Sequence, residues 1–111
     1  MSSPFEEIAG LDRLIHEPAR LAIMTALSAA QKADFLFLQR ITGLTKGNLS
    51  THLAKLEEGT LIEIHKEFVG KKPMTWVKLT AKGRSAIDRH WEELQRLRER
   101  ADHWLPDAGG T

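Results

Sequence analysis

Residues 34–58 read DFLFLQRITGLTKGNLSTHLAKLEE, two short helical patterns broken at Gly43 and restarted at Thr45. Asp34 can cap the first by accepting hydrogen bonds from free backbone N–H groups, with Leu38 and Ile41 as its buried stripe and Gly43 as its stop. Thr45 can cap the second, a helix over 45–58 in which Leu49, Leu53 and Leu56 fall at i, i+4 and i+7. Two short helices joined this closely form a helix-turn-helix candidate over 34–58.

At about 100° per residue, the three leucines point one way and Gly47, Ser50, Thr51, Ala54 and Lys55 point the other, with Asn48 at the edge. Surface helices usually carry long charged side chains, whereas this face is small and polar. Small side chains let a helix axis approach the floor of a major groove. From that face Asn48 can pair with an adenine edge and Ser50 and Thr51 can reach bases or phosphates. Lys46 and Lys55 can neutralise phosphates on either side. The free N–H groups beyond Thr45 also favour a phosphate. His52 lies beside the leucine stripe, a position that suits a buttress better than a base reader.

Outward from this core, Phe5, Ile8, Leu11 and Ile15 recur at helical spacing and predict a helix over 5–16 despite Gly10. Glu17-Pro18 restarts the chain, and Leu21, Ile23, Met24 and Leu27 predict a second helix over 18–30. Beyond residue 58 the period changes to two: Ile62, Ile64 and Phe68 alternate with Glu63, His65 and Glu67. The turn-forming segment 70–73 precedes a return strand from Met74 to Leu79, so residues 61–79 predict a hairpin whose tip carries Lys71 and Lys72. Such a tip suits contact with a phosphate backbone or minor groove, although cationic tips also serve solubility alone. Thr80 can cap a last helix over 80–104, with Ile87, Trp91, Leu94, Leu97 and Ala101 along it. The expected class is mainly α with a small β-hairpin (α+β), a winged helix-turn-helix flanked by terminal dimerisation helices. One domain over 1–105 and a flexible 106–111 tail are expected.

Charge is distributed unevenly. Residues 40–90 carry ten Lys/Arg against five acids, and the remainder six against ten. A basic middle between acidic flanks suits a polyanionic partner. The absence of cysteine removes disulfides, thiolate metal sites and cysteine nucleophiles. No leader pattern or membrane-length apolar run appears, so a cytoplasmic protein without membrane contact is expected. The five histidines are scattered over separate elements without a nucleophile motif or phosphate loop, which argues against an enzyme.

The runs LIHEPARLAIMTAL, DFLFLQRITGLTKGNLSTHLAKLEEG and EFVGKKPMTWVKLTAKGR resemble the small winged-helix regulators related to the MarR and ArsR repressors, over roughly residues 11–95. The resemblance implies a homodimeric repressor of double-stranded DNA that binds a pseudo-palindromic operator through the 45–58 helix, with wings over 69–75 on adjacent DNA. It assigns DNA contact to Thr45, Lys46, Gly47, Asn48, Ser50, Thr51 and Lys55, and to Lys71, Lys72 and Thr75 of the wing. Lys46 stands where an acid is common, Met74 where the wing often has Arg, and Gly59-Thr60 where Ala-Gly is usual.

The terminal helices hold more apolar residues than a small domain needs. Phe5, Ile8, Leu11, Ile87, Trp91, Leu94 and Leu97 are the expected dimer interface, the alternative being that Trp91 and Leu94 cap the monomer's own core. An unidentified small-molecule effector is compatible with such a dimer. No cofactor is expected. Asp88-x-His90 is half of a zinc motif known in ArsR-type repressors, but only His103 follows, so no metal site is assigned. A winged helix serving as a protein adaptor is the rival reading; it would call for an apolar or acidic face on the 45–58 helix.

Overall fold

The computed structural model describes residues 3–104; Leu105 and the expected 106–111 tail lie outside the described residues. The chain runs α1 (Pro4–Ala9), α2 (Pro18–Ala29), β1 (Ala33–Asp34), α3 (Phe35–Thr42), α4 (Lys46–Glu58), β2 (Ile62–Val69), β3 (Lys72–Leu79) and α5 (Ala81–Trp104). Helices α2, α3 and α4 enclose Ile23, Met24, Leu27, Leu38, Leu49, Leu53 and Leu56. The sheet adds Ile62 and Val77, and α5 adds Ile87. The winged-helix architecture expected from the sequence is therefore the one formed.

Four features differ from expectation. The first helix ends at Ala9 rather than reaching residue 16, because Gly10 closes it and Asp12 turns the chain by accepting from Leu14 N–H at 2.9 Å. Ile41 is 49% exposed rather than part of the buried stripe; Leu38 holds α3 to the core, with Phe35 packed against it. A short strand, β1, was not anticipated: its two residues pair with Trp76 and Val77 of β3. The return strand begins at Lys72, so the hairpin closes through two residues, Gly70 and Lys71. Gly70 at φ +66° in the first turn position is the backbone that a tight primed hairpin turn requires. Pro73 fits within β3 because β1 covers that strand only at residues 76 and 77, leaving the far edge open beside Pro73.

Helix α5 departs from the body where Thr80 caps it, accepting from Gly83 N–H at 2.9 Å and donating to the Thr60 carbonyl at 2.7 Å. A Cβ at Gly83 would sit 1.9 Å from the Leu61 carbonyl oxygen, so the crossing of α5 over that loop needs glycine. Trp91 Nε1 donates to Thr25 Oγ1 at 3.0 Å and Arg84 donates to the Ser28 carbonyl at 3.2 Å, fastening α5 to α2. Farther out, α5 is accompanied by α1, with Arg100 and Glu7 paired at 2.6 Å. The radius of gyration is 17.5 Å, against about 13 Å for a compact chain of this length, because this two-helix arm projects from the body.

His90 on α5 is buried, and its Nε2 lies 3.1 Å from Nδ1 of His16 in the turn after α1. One imidazole must donate and the other accept, so full protonation would set two N–H groups against each other. Burial holds the His90 pKa below its usual value, the His16 ring adds to this and Asp12 opposes it. Neutral His90 therefore contributes stability that is fully present above about pH 6.5 and declines as pH falls through the lower folded value. Urea denaturation between pH 8 and pH 5 should show falling stability, and His90→Gln, which keeps a hydrogen-bonding group without the proton, should flatten the profile. An unchanged profile in that variant would assign the effect elsewhere.

Thr60 is the only non-glycine among the described residues with positive φ, at 61°. A β-branched residue is strained in that region by about 1–2 kcal/mol. Thr60→Gly should therefore stabilise the chain by about 1 kcal/mol or somewhat less, after losing the 3.0 Å bond from Lys82 to Thr60 Oγ1. Equilibrium unfolding would detect the gain, and a loss of stability would show that the hydroxyl contacts outweigh the strain.

Candidate nucleic-acid interface

Leu49, Leu53 and Leu56 are at most 2% exposed and anchor α4 to the core. At about 2 kcal/mol for each buried leucine, that face alone holds the helix and leaves the other free of structural duties. The outer face is as the wheel requires: Thr45, Lys46, Gly47, Asn48, Ser50, Thr51, Ala54 and Lys55 are all exposed. Thr45 Oγ1 caps α4 by accepting from Asn48 N–H at 3.1 Å. The Thr51 hydroxyl donates to the Gly47 carbonyl at 3.0 Å, which leaves its oxygen free only to accept.

Two residues at this N-terminus are locally unfavourable. Lys46 places a cation in the first turn, where the helix dipole favours an anion, and α4 has no acid in that turn. Gly47 costs helix stability, yet a Cβ there would meet no atom within 4 Å. Neither choice has an internal structural reason. Both suit an external polyanion that must come close.

Between α4 and the hairpin runs an open groove of about 500 Å³. Ser50, Leu53 and Ala54 of α4 form one wall, Ile64 and Lys66 of β2 with Pro73 and Thr75 of β3 form the other, and Phe35 and Leu36 close the end. Thr75 lies half-buried within this groove, inward of the wing tip, while Lys71 and Lys72 stand exposed at the tip. Lys46, Lys55, Lys66, Lys71 and Lys72 form no ion pair among the described residues. On the opposite sheet face, by contrast, Lys32 pairs with Glu67 at 3.9 Å and Lys78 with Glu63 at 3.4 Å. The acids at the groove are Asp34, which caps α3, and Glu57, at the far end of α4.

The orientation of α4 is braced from behind. His52 Nδ1 lies 3.1 Å from Arg20 Nη1 and 3.6 Å from Glu17 Oε2, the placement of a side chain that buttresses α4 from behind. Sequence spacing placed His52 correctly but held no sign of Arg20, a cation inside an apolar helical pattern. Burial disfavours the Glu17 carboxylate. Donation from the N–H groups of Arg20 and Ala19, and the neighbouring His52 and Arg20, outweigh that cost and hold its pKa below the usual carboxylate value.

The residues expected at an interface between chains separate into two sets. Phe5 and Trp91 are 44% and 46% exposed, and Ile8, Leu11 and Leu94 are half-buried. Ile87 and Leu97 are enclosed by the chain itself, at 0% and 1%, because Ile87 joins the central core and Leu97 lies on the inward side of α5. That corrects their placement at the interface between chains. Trp104, 42% exposed, extends the outer set. Asp88 and His103 are exposed and about 22 Å apart along α5, while His90 faces inward to His16, so the half-motif 88–90 assembles no ligand set.

A capped helix-turn-helix followed by a cationic wing defines the winged-helix class of DNA-binding proteins. The winged helix DNA-binding domain family matches residues 19–98, and the chain belongs to it. It is 32% identical over 85 residues to the uncharacterized protein MJ0432 of Methanocaldococcus jannaschii, covering 77% of this chain and 92% of that one. Among solved structures, the transcriptional regulator homologue from Pyrococcus horikoshii OT3 is similar with a TM-score of 0.81 and 30% identity, over 89% of this chain and 97% of its own. A MarR-family transcriptional regulator from Silicibacter pomeroyi shares the fold at a TM-score of 0.61 and 22% identity, over 94% and 65% of the two chains. No helix among the described residues is long and apolar enough to cross a membrane.

The α4 N-terminus offers a test in which stability and binding move in opposite directions. Gly47→Ala should raise stability by about 0.5–1 kcal/mol and Lys46→Glu by about 0.3–1 kcal/mol. Both should weaken binding to a labelled mixed-sequence duplex several-fold, read by fluorescence anisotropy alongside urea denaturation. Variants that gain stability without losing affinity would make this face an ordinary solvated surface.

Proposed function

We propose that this protein is a sequence-specific transcriptional repressor that binds a pseudo-palindromic operator as a homodimer. The observation that carries the reading is the outer face of α4, where small polar residues and unpaired lysines stand in place of the long charged side chains usual on a surface helix. In this reading Lys46, Lys55, Lys71 and Lys72 meet phosphates, and Asn48, Ser50 and Thr51 meet base edges in the major groove. Gly47 and Ala54 let the backbone approach, and Thr45 offers a phosphate the helix N-terminus. Thr75 supports the wing from within the groove.

The arm supports a dimer. The principal axis of the molecule spans 68 Å against 26 and 21 Å, and two helices alone cannot cover their own apolar surface. Phe5, Trp91 and Trp104, with Ile8, Leu11 and Leu94 between them, offer a patch for the same patch of a second copy. An isologous contact there would fix the separation of two α4 helices, hence the half-site spacing. The adaptor reading has no comparable support, since α4 presents neither an apolar nor an acidic face.

Binding to duplex DNA across a salt series tests this. Affinity should fall linearly in log–log form, and Lys71→Ala with Lys72→Ala should reduce the slope by about 0.9 for each phosphate no longer neutralised. Absence of salt-dependent binding at micromolar protein would refute DNA recognition and leave the adaptor.

A further inference from the structure

We propose that Phe68 is an apolar wedge that enters the minor groove beside the site read by α4, unstacking a base step and bending the duplex. The inference rests on the DNA-binding reading above and adds a deformation to it. Phe68 is 74% exposed, the highest value among the large apolar side chains of the described residues, and Val69 beside it is 56% exposed. The two exposed apolar side chains sit next to each other at an otherwise cationic tip, where the chain itself covers neither.

Three observations say what the ring meets. By strand alternation Phe68 shares a face with Ile64 and Lys66, which line the groove toward α4, and its cross-strand partner Pro73 lines the same groove. The ring therefore belongs to the side of the wing that faces DNA. From residue 68 to residue 75 the tip contains Lys71 and Lys72 and no acid, while the preceding Glu67 sits on the other face beside Lys32. An apolar side chain framed by cations is the arrangement by which minor-groove proteins hold the phosphates and insert between bases. Finally, β1 pairs only with residues 76 and 77, so beyond them the wing is a lone two-stranded ribbon closed by Gly70. Such a tip is slender, and Pro73 and the tight turn stiffen it.

The step involves no covalent change. The ring replaces base–base stacking at one step with base–ring stacking, and the neighbouring lysines offset the phosphate repulsion that bending raises.

The test uses the full chain with a 30-base-pair mixed-sequence duplex, labelled at both ends for energy transfer, and the same duplex carrying two adjacent central mismatches. Wild type should bend the intact duplex and bind the mismatched one about tenfold tighter, because unstacking there is already made. Phe68→Ala should lose both the bend and the preference while keeping its log–log salt slope. Phe68→Trp should retain both and gain an indole signal quenched on binding, read as the difference from wild type. Salt-dependent binding with equal bend and preference in wild type and Phe68→Ala overturns the wedge alone. So does a Phe68→Ala effect confined to sedimentation of the free protein, which would make the tip a protein contact. Absence of DNA binding by wild type overturns the wedge together with the reading beneath it.

Discussion

One buried guanidinium ties α4 to the rest of this molecule. Arg20 sits in the first turn of α2 with only 9% exposure and spends its donors on three separate pieces of chain. Nε bonds the Leu14 carbonyl at 2.7 Å, Nη2 the Arg13 carbonyl at 3.1 Å, and Nη1 reaches His52 on α4 with Glu17 3.8 Å away. A cation removed from water is tolerated only where its donors are matched, and the match here is nearly complete. The consequences spread outward. The 12–17 segment is drawn into a turn instead of extending α1, and α4 is oriented through His52. Glu17, held ionised by the same cluster, caps α2 through the N–H groups of Ala19 and Arg20.

That brace explains how α4 tolerates a poor beginning. A helix opening with Lys46 and Gly47 loses stability to its own dipole and to backbone entropy, and it ends against Thr60 in a strained left-handed conformation. Three buried leucines, the Thr45 cap and the Arg20–His52 bond supply the compensation. Local rules are broken where the surface faces outward and kept where it faces the core, the pattern expected when a surface is shaped for a partner rather than for folding.

The same division decides what could be read from sequence. The 34–58 stretch was legible because caps, glycine stop and leucine spacing all agreed on one structure, and the hairpin because its period changed to two. The outer face of α4 followed by subtraction. The α1 boundary was misread because Ile15 continues the helical period, although Gly10 closes α1 and Asp12 turns the chain. The bonds from Arg20 to the Leu14 and Arg13 carbonyls that hold this turn come from another element and were not visible. Nor was β1 visible: two residues carry no period, and Ala33 and Asp34 pair only because β3 is already there. Ile41 and Ile87 show the limit of apolar spacing, which marks candidates for burial without saying which surface buries them. Ile41 is left outside, and Ile87 is taken by the chain's own core.

The proposed dimer requires that α4 cannot swing relative to α5, and the contacts supply that stiffness. Helix α2 is the shared base. It holds α4 through Arg20 and His52, and it holds α5 through the Trp91–Thr25 and Arg84–Ser28 bonds. The turn after α1 closes the frame from the other side, because Leu14 and Arg13 are fixed by Arg20 while His16 meets His90 of α5. The hairpin is tied in less firmly, since β1 grips only its base, and its tip is free beyond residue 76. A stiff α4 beside a slender wing gives the two elements different mechanical characters: α4 presents its outer side chains in fixed register, while the wing tip is held only through its own turn and its base.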